Sequence, residues 1–72
     1  MTEFEFFTHI FNINRELIEK YYETLKKATI NINLKDDNAI DNIYNLKITI
    51  NNLKKQQEQL TEKLQILAEK EK

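Results

Sequence analysis

The chain has 72 residues, a mass of 8.7 kDa and a formal net charge of −1, and it contains no glycine, proline, cysteine or tryptophan. The absence of cysteine excludes disulfides and thiolate metal sites, and it favours a reducing compartment, so we expect a cytoplasmic protein. The absence of glycine excludes the usual phosphate-binding loops, and a chain that also lacks proline favours long helices over sheets and tight turns.

The first predicted element is a helix over residues 2–28. Thr2 and Glu5 have the spacing of a capping box at its start. Apolar residues then recur at intervals of three and four, as they do on one face of a helix. This row has one polar member, Asn14, and it continues to Ile32. Its members within the helix are Phe4, Phe7, Phe11, Asn14, Ile18, Tyr21, Leu25 and Ala28.

A second apolar row lies beside the first on the same helix. It consists of Phe6, Ile10, Ile13 and Leu17, and we call it the apolar stripe. The two rows together give residues 4–18 an apolar arc about 180° wide, whereas docking on one neighbouring helix needs an arc of about 100°. The apolar stripe is therefore the predicted interface with a protein partner.

Residues 29–37 are predicted to connect this helix to a second one. Residues 29–34 alternate polar and apolar side chains, a period that suits a strand. A strand here would need a second copy of the chain for pairing, so the favoured interpretation is a frayed helix end or an extended connection. Asp36, Asp37 and Asn38 are three candidate N-caps for the helix that follows.

The second predicted helix covers residues 38–71. Its apolar row is typical of a coiled coil because steps of three and four residues continue for four heptads, with Ile43 and Ile50 on one side of the row and leucines on the other. Gln57 is its only polar interior member. The row consists of Ala39, Ile43, Leu46, Ile50, Leu53, Gln57, Leu60, Leu64 and Leu67. A parallel dimer of this helix is a rival arrangement. It is disfavoured because Lys47, Lys54 and Lys63 would have no facing acidic residues.

The two rows fit each other in an all-α, antiparallel two-helix hairpin in which the numbers of paired residues add up to 71. The pairs are Phe4–Leu67, Phe7–Leu64, Phe11–Leu60, Asn14–Gln57, Ile18–Leu53, Tyr21–Ile50, Leu25–Leu46 and Ala28–Ile43. The two polar members meet, and this pairing would avoid the cost of about 1–3 kcal/mol for a buried amide without a partner. The alternative is that each amide faces solvent or an outside partner.

A chain below about 70–80 residues rarely builds a sufficient core without disulfides, a metal or oligomerisation. We therefore expect protein partners, either copies of the chain that complete a helical bundle as a dimer or higher oligomer, or a larger helical protein. All four phenylalanines lie within residues 4–11. They are either a docking end, since aromatic residues dominate interface hot spots, or the core of the hairpin.

Chemical sites are not expected. His9 with Glu5 is a weak metal-ligand set, the chain has neither serine nor cysteine as a nucleophile, and no cofactor or small-molecule substrate is predicted. Nucleic acid is disfavoured because 11 basic residues are balanced by 12 acidic ones. A membrane-surface helix over residues 2–18 is disfavoured because its polar face is mostly Glu rather than Lys and Arg.

The sequence thus predicts a non-enzymatic protein-interaction module, a small assembly subunit or adaptor that buries apolar helix faces. One alternative is a small regulator or inhibitor that captures a helix of a partner protein and gains order on binding. A lesser alternative is a helical dimer that binds nucleic acid, for which a basic stripe would be needed.

Overall fold

The computed structural model describes residues 1–70, and this part of the chain is an antiparallel hairpin of two α-helices. Helix α1 spans Glu3–Ile30 and helix α2 spans Asp37–Lys70. The hairpin measures 57 × 15 × 15 Å, so it is a rod only two helices thick. The predicted end of the second helix at residue 71 lies outside the described residues.

Helix α1 is capped as its sequence predicts and ends later than expected. The Thr2 hydroxyl oxygen accepts a hydrogen bond from the Glu5 backbone N–H at 3.1 Å. At the other end the helix continues through Thr29 and Ile30, and Asn31 closes it with two bonds to the Lys27 carbonyl, one from its backbone N–H and one from its side-chain amide, both 3.3 Å long. Residues 29 and 30 are therefore helical rather than part of an extended connection.

The connection between the helices is residues 31–36, and it turns without glycine. The Asn33 side-chain oxygen accepts from the Lys35 N–H at 3.0 Å, and the Asn33 carbonyl accepts from the Asp36 N–H at 2.9 Å. Asp36 then caps α2, because its carboxylate accepts from the backbone N–H groups of Asn38 at 3.1 Å and Ala39 at 3.4 Å. None of the residues from 1 to 70 has a positive φ, so the turn does not need the conformational freedom of glycine, and the Asn33 and Asp36 side chains stabilise it by accepting backbone hydrogen bonds.

The contact between α1 and α2 forms along the two rows, and we call it the seam. Every member of the two rows is buried or half-buried. Among the other residues from 1 to 70, Thr8, Ile10 and Thr49 are half-buried and the rest are exposed. Four residues are buried: Asn14, Ile50, Leu60 and Leu67. A seam with so few buried side chains is a thin core, as expected for a single pair of helices.

Candidate protein-interaction face

A pair of amides crosses the middle of the seam. Asn14 is 4% exposed, and its side-chain nitrogen donates to the Gln57 side-chain oxygen at 2.6 Å and to the Leu53 carbonyl at 3.0 Å. Both donor hydrogens of the Asn14 amide can therefore be used. Among residues 1–70, no buried side-chain nitrogen or oxygen lacks a partner. Asn14 faces Gln57 rather than solvent, and this contact has the alignment in which the numbers of paired residues add up to 71.

The apolar stripe lies outside the seam. Phe6 is 48% exposed, Ile13 41% and Leu17 38%, and Ile10 is half-buried. The Phe6 ring packs edge-to-face against the ring of Phe7, with the centroids 5.4 Å apart and the planes at 78°. The phenylalanines are therefore divided between two surfaces. Phe4, Phe7 and Phe11 are half-buried in the seam, whereas Phe6 faces outward.

A second row, on α2, has no charged member over more than four helical turns. We call it the neutral polar stripe, and it consists of Asn42, Asn45, Thr49, Asn52, Gln56 and Gln59, at intervals of three and four residues. All six are exposed except Thr49, which is half-buried. The apolar periodicity of the sequence does not indicate this row, because all of its members are polar. The regular absence of charge at helical spacing was the signal that could have revealed it.

The two stripes border the same side of the hairpin. An open groove of about 490 Å³ on this side is lined by Thr24, Ala28, Asn42, Asn45, Leu46 and Thr49. Thr24 follows Ile10 and Leu17 at intervals of seven residues, so it lies on the same side of α1 as the apolar stripe, while Asn42, Asn45 and Thr49 belong to the neutral polar stripe. We call this side, formed by the two stripes, the neutral face.

The opposite side of the hairpin carries charges close to the seam. The Lys54 ammonium nitrogen lies 4.8 Å from the centre of the Tyr22 ring. Arg15 precedes Tyr22 by seven residues and Lys47 precedes Lys54 by seven, so both lie on this same side. On the neutral face the first charged residue after the neutral polar stripe is Lys63, whose ammonium nitrogen lies 5.5 Å from the centre of the Phe7 ring. The neutral face also carries Glu3 and Lys20, at the two ends of the apolar stripe. Its charge-free area is therefore the part of the two stripes that lies between its charged residues, and protein interface cores are depleted in charged residues.

Other kinds of site have little support in the geometry. His9 is exposed, and within residues 1–70 no three His, Cys, Asp or Glu side chains are grouped so that they could hold a metal ion. A second open groove, of about 300 Å³, lies near the chain termini, and three of its six lining residues, Phe4, Phe11 and Leu64, belong to the seam. In the described part of the chain, neither helix has an apolar segment of the length that a bilayer crossing requires.

Comparisons with protein families, with curated proteins and with solved structures found no match to this chain. Its function therefore has to be inferred from its own residues and their arrangement.

Proposed function

We propose that this chain is a non-enzymatic protein-interaction module, a small assembly subunit or adaptor, that works by burying its neutral face against helices of another protein molecule. The partner is either a copy of the chain or a larger helical protein. The lack of cysteine supports a cytoplasmic setting for this role.

The observation that carries this proposal is the accessible surface of the hairpin, which is 5974 Å². A compact monomeric protein of this mass exposes about 4,700 Å² by the usual scaling of surface with mass. The hairpin thus exposes about a quarter more surface than a compact monomer would. The excess is larger than the roughly 800 Å² that each partner buries in a standard protein interface, so a typical contact could cover it.

The composition of the neutral face supports burial there rather than elsewhere. The apolar stripe has four large side chains, and each Å² of their apolar surface that leaves water stabilises the contact by about 25 cal/mol. The neutral polar stripe beside it offers amides and a hydroxyl that can hydrogen bond across an interface. Burying these groups avoids the larger desolvation cost of a charged side chain.

The test compares the wild-type chain with Phe6→Glu and with a control, Ile48→Glu. Ile48 is also exposed, at 40%, but it lies on α2 outside the seam and the neutral face. Sedimentation equilibrium and far-ultraviolet circular dichroism are measured over a dilution series, and proteins captured by each tagged variant in host cells are quantified. We expect association with a copy or with a specific protein that Phe6→Glu abolishes and Ile48→Glu retains, with helix content unchanged.

The proposal is wrong if the wild-type chain is a cooperatively folded monomer at every concentration and Phe6→Glu captures the same proteins as the wild type. A regulator that holds a partner helix in trans is a second candidate, favoured by the open groove of the neutral face between Thr24 and Thr49. It would be distinguished by a monomeric or loosely associated free chain that forms a one-to-one complex with its target.

A further inference from the structure

We propose that the partner on the neutral face is a second copy of this chain, docked so that the two α1 helices lie antiparallel with residues 11 and 12 at a two-fold axis. This inference rests on the proposed function and names the occupant of the face. It follows from the pattern of charge at the two ends of the apolar stripe.

The apolar stripe continues by one residue in each direction at the same helical spacing. Glu3 precedes Phe6 by three residues and Lys20 follows Leu17 by three, and both end residues are exposed. The stripe therefore begins with a negative charge and ends with a positive one, and between them its members are apolar. The full row is Glu3, Phe6, Ile10, Ile13, Leu17 and Lys20.

An antiparallel pairing of two such rows is self-complementary. When the numbers of facing residues add up to 23, Phe6 faces Leu17 of the second copy and Ile10 faces Ile13 of the second copy. Glu3 then faces Lys20 of the second copy. A two-fold axis repeats each of these contacts, so both ends of the row form pairs of opposite charge. A parallel pairing would instead place like charges together at both ends.

The dimensions of the hairpin agree with this arrangement. The apolar stripe runs about 17 Å along α1, given a rise of 1.5 Å per residue, and it is centred between residues 11 and 12. Two rods 15 Å thick that meet along this line overlap over residues 3–20 of each α1, about 26 Å at 1.5 Å per residue. They form a staggered four-helix bundle over this part of their length. In the register of the seam, the apolar stripe lies beside residues 54–65 of α2. Gln56 and Gln59 of the neutral polar stripe therefore flank the contact, together with the charged Lys63.

The experiment measures the dimer dissociation constant of the full chain by sedimentation equilibrium for Glu3→Lys, Lys20→Glu and the double variant. Each single change places like charges at both ends of the contact. We expect it to weaken the dimer by about tenfold at low ionic strength, and by much less at about 1 M salt, where the Debye length is about 3 Å. The double variant exchanges the charges and should restore wild-type affinity.

The matched controls are Glu19→Lys and Lys26→Glu, which make the same charge changes at exposed positions of α1 off the row. They should leave the dissociation constant within about twofold of the wild-type value, since screened charges away from the contact have little effect. A parallel dimer would respond differently, because each single variant would still place like charges together at each end. Its affinity would then change little in either single variant or in the double variant.

A further pair of variants, Ile13→Glu and Ile48→Glu, distinguishes failure of this inference from failure of the proposed function. The two are matched because Ile13 on the apolar stripe is 41% exposed and Ile48 outside the neutral face is 40% exposed. A dimer that Ile13→Glu disrupts but the charge variants do not affect would overturn the antiparallel pairing and retain the neutral face as the interface. A dimer that persists in Ile13→Glu would overturn both. A wild-type chain that stays monomeric would overturn only the second copy as occupant, and the capture experiment would then decide the proposed function.

Discussion

The seam and the apolar stripe are two rows on the same helix with the same spacing, and they differ in what covers them. The seam is covered by α2, so Asn14 is 4% exposed, whereas Ile13, its neighbour in sequence and a member of the stripe, is 41% exposed. A polar residue is thus buried while an adjacent apolar one faces outward. Burial in this molecule is decided by the position of the second helix and not by the hydrophobicity of each residue.

The difference in exposure between the seam and the apolar stripe also shows that, in a pair of helices, each helix can bury only one row against the other. A docked helix covers an arc of about 100° on its neighbour, and α2 is the only neighbour of α1 in the hairpin. The seam therefore maintains the fold of the single chain, while the stripe is available for contact with another molecule. Four predictions test this division and the contacts within the seam.

The largest effect is expected when a leucine of the seam is truncated, and the same change at a leucine of the apolar stripe is its comparison. Leu60 is 8% exposed in the seam and Leu17 is 38% exposed in the stripe. Leu60→Ala should lower the free energy of unfolding by about 2–5 kcal/mol, as for other buried leucines. Leu17→Ala should lower it by less than about 1 kcal/mol in dilute samples. The measurement is urea denaturation followed by circular dichroism, and equal losses at high dilution would break the distinction between the rows.

A smaller effect is expected from the amide pair. Asn14→Ala removes the donor to the Gln57 oxygen and should cost about 1–3 kcal/mol in the free energy of unfolding. The double variant Asn14→Leu with Gln57→Leu should recover this loss or exceed the wild-type stability, because a well-packed apolar pair needs no compensating bonds.

The same double variant should hold the alignment of the helices less strictly, since a polar pair in a seam excludes shifted registers. Spin labels attached through Glu19→Cys and Lys55→Cys, both at exposed positions, would report this as a broader distribution of distances between the helices. An unchanged distribution would mean that the apolar members of the seam fix the alignment without the amides.

The smallest effect is expected at the edge of the seam on the charged side. Lys54→Gln removes the ammonium group that lies 4.8 Å from the Tyr22 ring, and it should cost about 0.5 kcal/mol at this exposed site. Lys55→Gln is the matched control, because its side chain is also exposed but no aromatic contact is formed by it in the described structure. Equal effects of the two changes would show that Lys54 adds nothing to the seam.

The fold could be predicted from the sequence because periodicity determines which residues of a helix share a face. The row that begins at Phe4 and the row that ends in Leu67 stay in phase in an antiparallel alignment. Among the registers that keep this phase, a sum of 71 brings Asn14 to Gln57, and the structure has this contact at 2.6 Å. The Thr2 cap could be predicted for a similar reason, since the hydrogen bond from the Glu5 N–H to the Thr2 hydroxyl depends only on the spacing of nearby residues.

The end of α1 could not be predicted as well. The alternation over residues 29–34 resembles a strand, but helix propagation needs only one more bond per residue. No glycine or proline interrupts α1, so the helix continues to Ile30, and Asn31 then donates two hydrogen bonds to the Lys27 carbonyl oxygen. The sequence offers three candidate N-caps for α2 and does not choose between them. The structure shows that Asp36 is the one that accepts hydrogen bonds from the first free N–H groups of α2.

The occupant of the neutral face is a different kind of unknown. Exposure of Phe6 and Leu17 follows from the width of the apolar arc, but one chain contains no information on the position of a second molecule except through self-complementarity. The charges of Glu3 and Lys20 are such a signal. The spacing of the neutral polar stripe is present in the sequence, but its place on the same side as the apolar stripe follows only from the groove lined by Thr24 and Thr49.

The amide contact in the middle of the rod has a consequence for the turn at its end. The Asn14–Gln57 contact and the buried residues of the seam lie away from the turn, so the main role of residues 31–36 is to tether the two helices and keep their effective concentration high. Leu34, which is 75% exposed, contributes little to packing. The turn is therefore the place where this hairpin can best accept an inserted peptide, a fluorescent tag or a break in the backbone while the two arms still recognise each other.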